Sequence, residues 1–185
     1  MNGFELTRKL TKRVDSTILS LASGLGNAGG SWCIIAAGGY GRRELCPHSD
    51  IDILVLSREG LGVTTIDRVL RHIVYPLWDM GIAVSHSVRT PSQVLSDIKD
   101  DFFFRTSLFD ARFIAGDTSV FKIMETLQRS EILGRDLKGL VKEIGDGVRR
   151  RHQEFGDSSY LLEPDIKDAI GGLRDYHAVR WILKA

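Results

Sequence analysis

The stretch from Gly38 to Leu56 constrains this chain more than any other part of it. Trp32-Cys33-Ile34-Ile35-Ala36-Ala37 reads as a short buried strand that stops at Gly38-Gly39. Ile51 to Leu56 is a second apolar run. The segment between them is too short for a full crossover helix, so the two strands are expected to be neighbours and antiparallel. Side chains alternate along a strand. Asp50 and Asp52 therefore share one face at its beginning, while Ile51, Ile53 and Val55 point into a core.

That pattern has a chemical reading. Two carboxylates so close repel unless a cation bridges them. Mg²⁺ suits such a pair, because it takes oxygen ligands and is commonly shared between carboxylates and substrate phosphates. Gly38 and Gly39 let backbone N–H groups approach a phosphate chain. Arg42 either offsets phosphate charge or is a surface arginine of the turn. A Gly-Gly-x-Gly alone marks no more than a tight turn, and an Asp-x-Asp alone no more than a solvated strand end. Together, between two strands, they form a site for a metal–nucleoside triphosphate.

The rest of the chain supports a mixed fold. Leu6, Leu10, Val14, Ile18 and Leu21 recur at helical spacing, and a Gly-rich loop follows from Gly24 to Gly30. A helix is expected through Ile66 to Leu77, ended by Gly81, and a third strand over Ile82–Val88. From Ser92 the pattern reads as helical to the end, with segments near Ser92–Lys99, Phe102–Phe113, Ser119–Gln128 and Leu133–Phe155. A loop with Pro164 and Gly171-Gly172 precedes a last helix that ends at Ala185 without a stop signal, as in a fragment of a longer chain. The expectation is an α/β (α+β) fold, a small mixed sheet flanked by helices, with a core over 1–115 and a helical region over 116–185.

Composition narrows the setting. The chain has 185 residues, 43% hydrophobic, with 25 basic and 24 acidic side chains for a net charge of +1. That balance gives no electrostatic reason to expect nucleic acid or a membrane surface as partner. No apolar run is long enough to span a bilayer. Two cysteines, Cys33 and Cys46, make neither a disulfide framework nor a zinc site, and fit a reduced, cytoplasmic setting.

Three segments carry a resemblance. Gly38-Gly39-Tyr40-Gly41-Arg42-Arg43-Glu44-Leu45 followed by Ser49-Asp50-Ile51-Asp52-Ile53-Leu54 resembles the signature of the nucleotidyltransferase superfamily of polymerase-β type. Within it, the form is similar to that of the bifunctional PII-protein uridylyltransferases. Leu162-Glu163-Pro164-Asp165-Ile166-Lys167-Asp168-Ala169-Ile170-Gly171-Gly172-Leu173-Arg174-Asp175-Tyr176-His177 resembles that family's L-E-P-N-I-K-E-G-x-G-G-L-R-D-x-H. Leu77-Trp78-Asp79-Met80-Gly81 and His86-Ser87-Val88-Arg89-Thr90 are similar to its L-W-D-x-G and H-S-V-R-T.

The resemblance implies Mg²⁺-dependent transfer of UMP from UTP to a tyrosine of the PII signal protein, with release of pyrophosphate. By position, Asp50 and Asp52 would hold metal, and Gly38, Gly39 and Ser49 would border the triphosphate. Lys167 and Arg174 flank the Gly171-Gly172 turn and are placed beside the nucleotide. The alternatives are an adenylyltransferase of the same superfamily and a non-catalytic nucleotide-binding module. Arg43 stands where the family usually has Gly, and costs energy if that backbone needs φ > 0. A third carboxylate is not assigned; Asp79 and Asp110 are candidates by chemistry alone. Full-length relatives also carry a phosphohydrolase domain that removes UMP. The five histidines here are scattered and none precedes an Asp, so this stretch is expected to transfer but not to hydrolyse.

Other residues get plainer readings. Arg149-Arg150-Arg151-His152 is expected to be a solvated helix face. His86 is placed on the cleft side of the third strand, Trp78 and Phe102-Phe103-Phe104 in the core, and Cys33 as an inert buried thiol.

Overall fold

A computed structural model of the chain describes residues 2–25, 31–133, 136–154 and 165–184. It divides into two compact units, Met1–Gln128 and Arg129–Ala185.

The first unit opens with α1 (Gly3–Ser23), started by a capping box in which Asn2 accepts from the Glu5 N–H and Glu5 reaches back to Asn2. There follow β1 (Trp32–Ala36), the four-residue turn α2 (Gly38–Gly41), β2 (Ile51–Ser57), α3 (Val63–Asp79) and β3 (Val84–Arg89). Next come α4 (Pro91–Asp100), α5 (Phe102–Ser107), a 3₁₀ turn at Leu108–Asp110, β4 (Arg112–Gly116) and α6 (Thr118–Leu127). The sheet order is β3-β2-β1-β4. β1 is antiparallel to β2, as the short connection requires, and β2 is parallel to β3 across α3. The unit continues past 115 because β4 pairs with β1 and α6 packs on the sheet.

β4 corrects the reading of a helical pattern unbroken from Ser92. The helix at Phe102 ends at Ser107, and Arg112–Gly116 is a strand. Its five residues are too few to carry a period of their own. Pairing with β1, far away in sequence, sets its conformation.

Alternation along the strands builds two cores. On one face Ile34, Ala36, Ile51, Ile53 and Val55 pack with Ile18 of α1 and with Val69, Ile73 and Leu77 of α3. By the period of two, Cys33, Ile35, Leu54 and Leu56 serve the other face; all four are buried, as are Val94, Leu108, Phe109, Val120 and Met124. Burial, with the Asp117 charge, pushes the Cys33 thiol up to about 12, so it is inert at neutral pH.

Trp78 and Phe103 are not core residues: they are 44% and 70% exposed. Trp78 lies at the last turn of α3, stacked on Tyr75 and edge-on to His86. His86 is therefore on the α3 face, sharing its parity with Val84 and Val88, and not on the opposite face.

The second unit contains α7 (Leu137–Glu154) and α8 (Leu173–Lys184), which pack together. The expected helix end at Phe155, most of the Gly24–Gly30 loop and the Leu162-Glu163-Pro164 part of the family motif lie outside the described residues. No helix among the described residues is long and apolar enough to cross a membrane.

Candidate active site

The glycine turn and the aspartate strand are built against each other. Ala37 is extended and its N–H donates to the Asp52 carbonyl at 3.0 Å. Gly38 follows at φ 52°, and a Cβ there would stand 2.5 Å from Asp52 Oδ2. Gly38 is thus glycine twice over: for its backbone angle and because the Asp52 carboxylate fills the space of a side chain. Gly39 is different. A Cβ on it would meet only Arg42 Nη2, at 3.9 Å, so packing does not demand glycine there.

Below the turn a charged network fixes its position. The buried Tyr40 hydroxyl donates to Asp15 Oδ1 at 2.7 Å. Arg112 of β4 forks onto Asp15 at 2.9 and 3.1 Å and donates to the Tyr40 carbonyl at 3.2 Å. Burial, then the hydrogen bond and charge of Asp15, push the Tyr40 hydroxyl far above its usual range, so it stays a donor. Three elements, α1, α2 and β4, are tied at this point. The sequence reading missed Asp15 and Arg112, because nothing near either one marks the partner.

Arg42 is only 11% exposed along its side chain. Its Nε donates to Glu44 at 2.8 Å and its Nη1 lies 3.9 Å from Asp110. These carboxylates already answer its charge, and Asp110 is engaged there. Arg43 has φ 62°, the left-handed backbone that glycine would adopt without cost. The turn then runs through Cys46–Ser49, closed by Ser49 N–H to the Cys46 carbonyl at 3.1 Å, with His48 at φ 68°. His48, Ser49 and Asp50 are exposed, and Asp52 half-buried. Asp79, at the end of α3, is exposed.

Asp50 and Asp52 offer the oxygen donors that a hard cation takes, and the half-buried Asp52 is braced by the turn behind it. Among the described residues no group of three or more His, Cys, Asp or Glu is placed to hold a metal ion. Two carboxylates are donors of the kind that Mg²⁺ takes when substrate oxygens and water complete its shell. Beside Asp52 lies a cavity of about 230 Å³ between the β2–β3 face and α5.

Lys167 and Arg174 belong to the second unit. Asp165 accepts from the Lys167 and Asp168 N–H groups, and the Arg174 N–H donates to the Lys167 carbonyl at 3.0 Å. Arg174 Nε also pairs with Asp168 at 2.5 Å. Asp175 is the hub: it takes Arg151, His152 at 3.0 Å and the Gly171 N–H at 2.7 Å. Burial works against its charge, but these donors outweigh it and hold the carboxyl below its usual range. So the basic run is not simply a solvated face: Arg151 and His152 turn inward, while Arg149 pairs with Asp146.

Comparison with known proteins converges on one family. The family described as GlnD PII-uridylyltransferase matches residues 139–185. A bifunctional uridylyltransferase/uridylyl-removing enzyme of Novosphingobium aromaticivorans is 38% identical over 82% of this chain and 16% of its own length. Proteins of the same description from Burkholderia vietnamiensis and Gluconobacter oxydans are 35% and 32% identical over 100% of this chain, and 21% and 20% of their own lengths. The chain belongs to the family of bifunctional uridylyltransferase/uridylyl-removing enzymes, of which it spans about one fifth of the length.

Proposed function

We propose that this chain carries the transferase site of its relatives and moves UMP from UTP to a tyrosine hydroxyl of the PII nitrogen-regulatory protein, releasing pyrophosphate. The observation that carries this reading is the fit of the Asp52 carboxylate into the place of a Gly38 side chain, which locks the aspartate strand and the glycine turn into one site. Asp50 and Asp52 would hold Mg²⁺, which when bound neutralises charge on the phosphates. Gly38 and Gly39 would present first-turn N–H groups, which lack acceptors within the turn, to the triphosphate. Ser49, beside Asp50 on the exposed rim, would border it. Arg42 would brace the turn through Glu44 and Asp110. In the reaction the tyrosine hydroxyl gives up its proton to water, its oxygen bonds to the α-phosphorus, the bridge to the β-phosphate breaks, and pyrophosphate leaves. The two cysteines, both free, fit a cytoplasmic setting.

The test is incubation with labelled UTP, Mg²⁺ and PII. Asp50→Asn and Asp52→Asn should fold, since removing one of two like charges costs little, and each should lower transfer by at least about a hundredfold. Label on PII from UTP with the parent, lost in both variants, supports the reading. Equal transfer by parent and variants removes the carboxylate pair from the chemistry.

A further inference from the structure

We propose that Tyr40, Asp15 and Arg112 are positioning residues of the transferase site: they hold the glycine turn where a metal–triphosphate would meet it. This deepens the function proposed above and rests on it. The turn can do little for itself. Three of the four residues of α2 are glycines, so Tyr40 is its only side chain. A single turn is also too short to be stable alone, because nucleating a helix costs more than its first hydrogen bonds return. Its backbone bonds, among them Gly41 N–H to the Ala37 carbonyl at 2.8 Å and Arg42 N–H to the Gly38 carbonyl at 3.1 Å, shape the turn but do not place it. Its place comes from outside, through Tyr40.

That contact runs inward, away from any ligand. Tyr40 is 0% exposed, so its ring and hydroxyl cannot touch a nucleotide. The hydroxyl ends on Asp15 of α1, which the Arg112 fork holds from the other side. The Arg112 guanidinium lies 5.3 Å from the centre of the Tyr40 ring. Arg112 also reaches the backbone of the turn: Nη2 donates to the Tyr40 carbonyl at 3.2 Å and Nε to the Gly41 carbonyl at 3.4 Å. Both carbonyls belong to the end of the turn, where acceptors need donors from elsewhere. Gly41 permits this approach, since a Cβ there would run into the Asp110 carbonyl just before β4. With its charge answered by Asp15, Arg112 acts here by geometry and not as a phosphate ligand.

The opposite end of the turn meets the aspartate strand. The Asp52 carboxylate fills the place of a Gly38 side chain, and the Ala37 N–H is bonded to the Asp52 carbonyl. A turn that shifts at its Tyr40 end therefore shifts against Asp52 at its Gly38 end. Ligand held between the two tolerates this poorly, since a displacement of about 1 Å can cost about a hundredfold.

The test pairs ligand affinity with local opening, on the intact 185-residue chain in Mg²⁺. UTP and inorganic tripolyphosphate are titrated by calorimetry, and amide hydrogen exchange is followed by NMR. Tyr40→Phe deletes one oxygen and leaves the ring. Arg112→Lys keeps the charge but cannot both fork onto Asp15 and reach the two carbonyls. Each should weaken both ligands by about tenfold, within the range that a small displacement costs. Exchange at the Gly41 and Arg42 N–H groups should speed up, with β1 and β2 unchanged. A residue that only stabilises the fold would instead speed exchange throughout β1 and β2 and leave the folded molecules binding as before. If Arg112→Lys fails to fold by circular dichroism, Tyr40→Phe decides alone. Parent-like affinity in the folded variants, whatever the exchange does, overturns the positioning role and leaves the transferase reading standing. A parent that binds neither UTP nor tripolyphosphate overturns that reading, and the positioning role with it.

Discussion

Arg43 holds a left-handed backbone at φ 62°, in the turn that carries Gly38 and ends before the aspartates. A side chain with a Cβ costs about 1 kcal/mol or more in that region, part of which glycine returns through the greater freedom of its unfolded chain. Arg43→Gly should therefore stabilise the protein by about 0.5–1 kcal/mol in denaturant titration. A loss of stability would mean that the arginine side chain makes up for its backbone. The two leading glycines should behave oppositely. Gly38→Ala should destabilise the fold, since its Cβ would stand 2.5 Å from Asp52 Oδ2. Gly39→Val should keep the melting temperature within a few degrees and yet weaken Mg²⁺–triphosphate binding, because packing leaves room that a ligand would need. Equal binding by parent and Gly39→Val would make that turn purely structural. The Asp-x-Asp spacing was legible because it rests on neighbours in the chain, whereas φ > 0 at Arg43 was raised only as a condition by the family resemblance, and the structure meets that condition. The Asp15–Arg112 fork was not legible, because it joins α1 to β4 and neither partner has a local marker.

At the scale of elements, α7 and α8 are joined through Asp175. Asp175→Asn should cost the second unit about 2 kcal/mol, because Arg151 and His152 would lose their shared carboxylate. The contribution depends on pH in a definite direction. Asp175 is held below the ordinary aspartate value of 3.8, so its stabilisation is present above that value and is lost as pH falls through and below it. Acid unfolding followed by hydrogen exchange should show the parent losing protection in α7 and α8 below about pH 4, and the variant losing less over the same range. β3 shows a different device. The Ile51 N–H to Ala83 carbonyl bond fixes which groups of β3 face β2, leaving those of Val84, His86 and Val88 on the outer edge. Trp78 Nε1 donates to the Val84 carbonyl at 3.3 Å and Arg89 Nη1 to the Val88 carbonyl at 2.8 Å. The edge strand is thereby blunted against pairing with another chain. The period-two run had pointed to a strand at this place, but parity was misjudged for His86, which lies with Val84 and Val88. β4 escaped entirely, since long-range pairing and not its own composition makes it extended.

For the whole molecule, charge is nearly balanced, with a formal net charge of +1. Without a large single-sign field, the chain should wash off a heparin column at or below about 0.15 M salt. Retention well above that would reveal a basic surface that the charge count averages away. The parallel pairing of β2 with β3 has a kinetic consequence. Asp52 and Ser85 are ladder neighbours, yet the whole of α3 separates them along the chain. Local helices form quickly, whereas contacts that close a long loop must wait for that closure. During refolding, helical signal should return before the cavity rim exists. A chain trapped with β3 undocked would then keep most of its helical signal and yet lack the Asp52–Ser85 pairing, so circular dichroism alone would count it as folded.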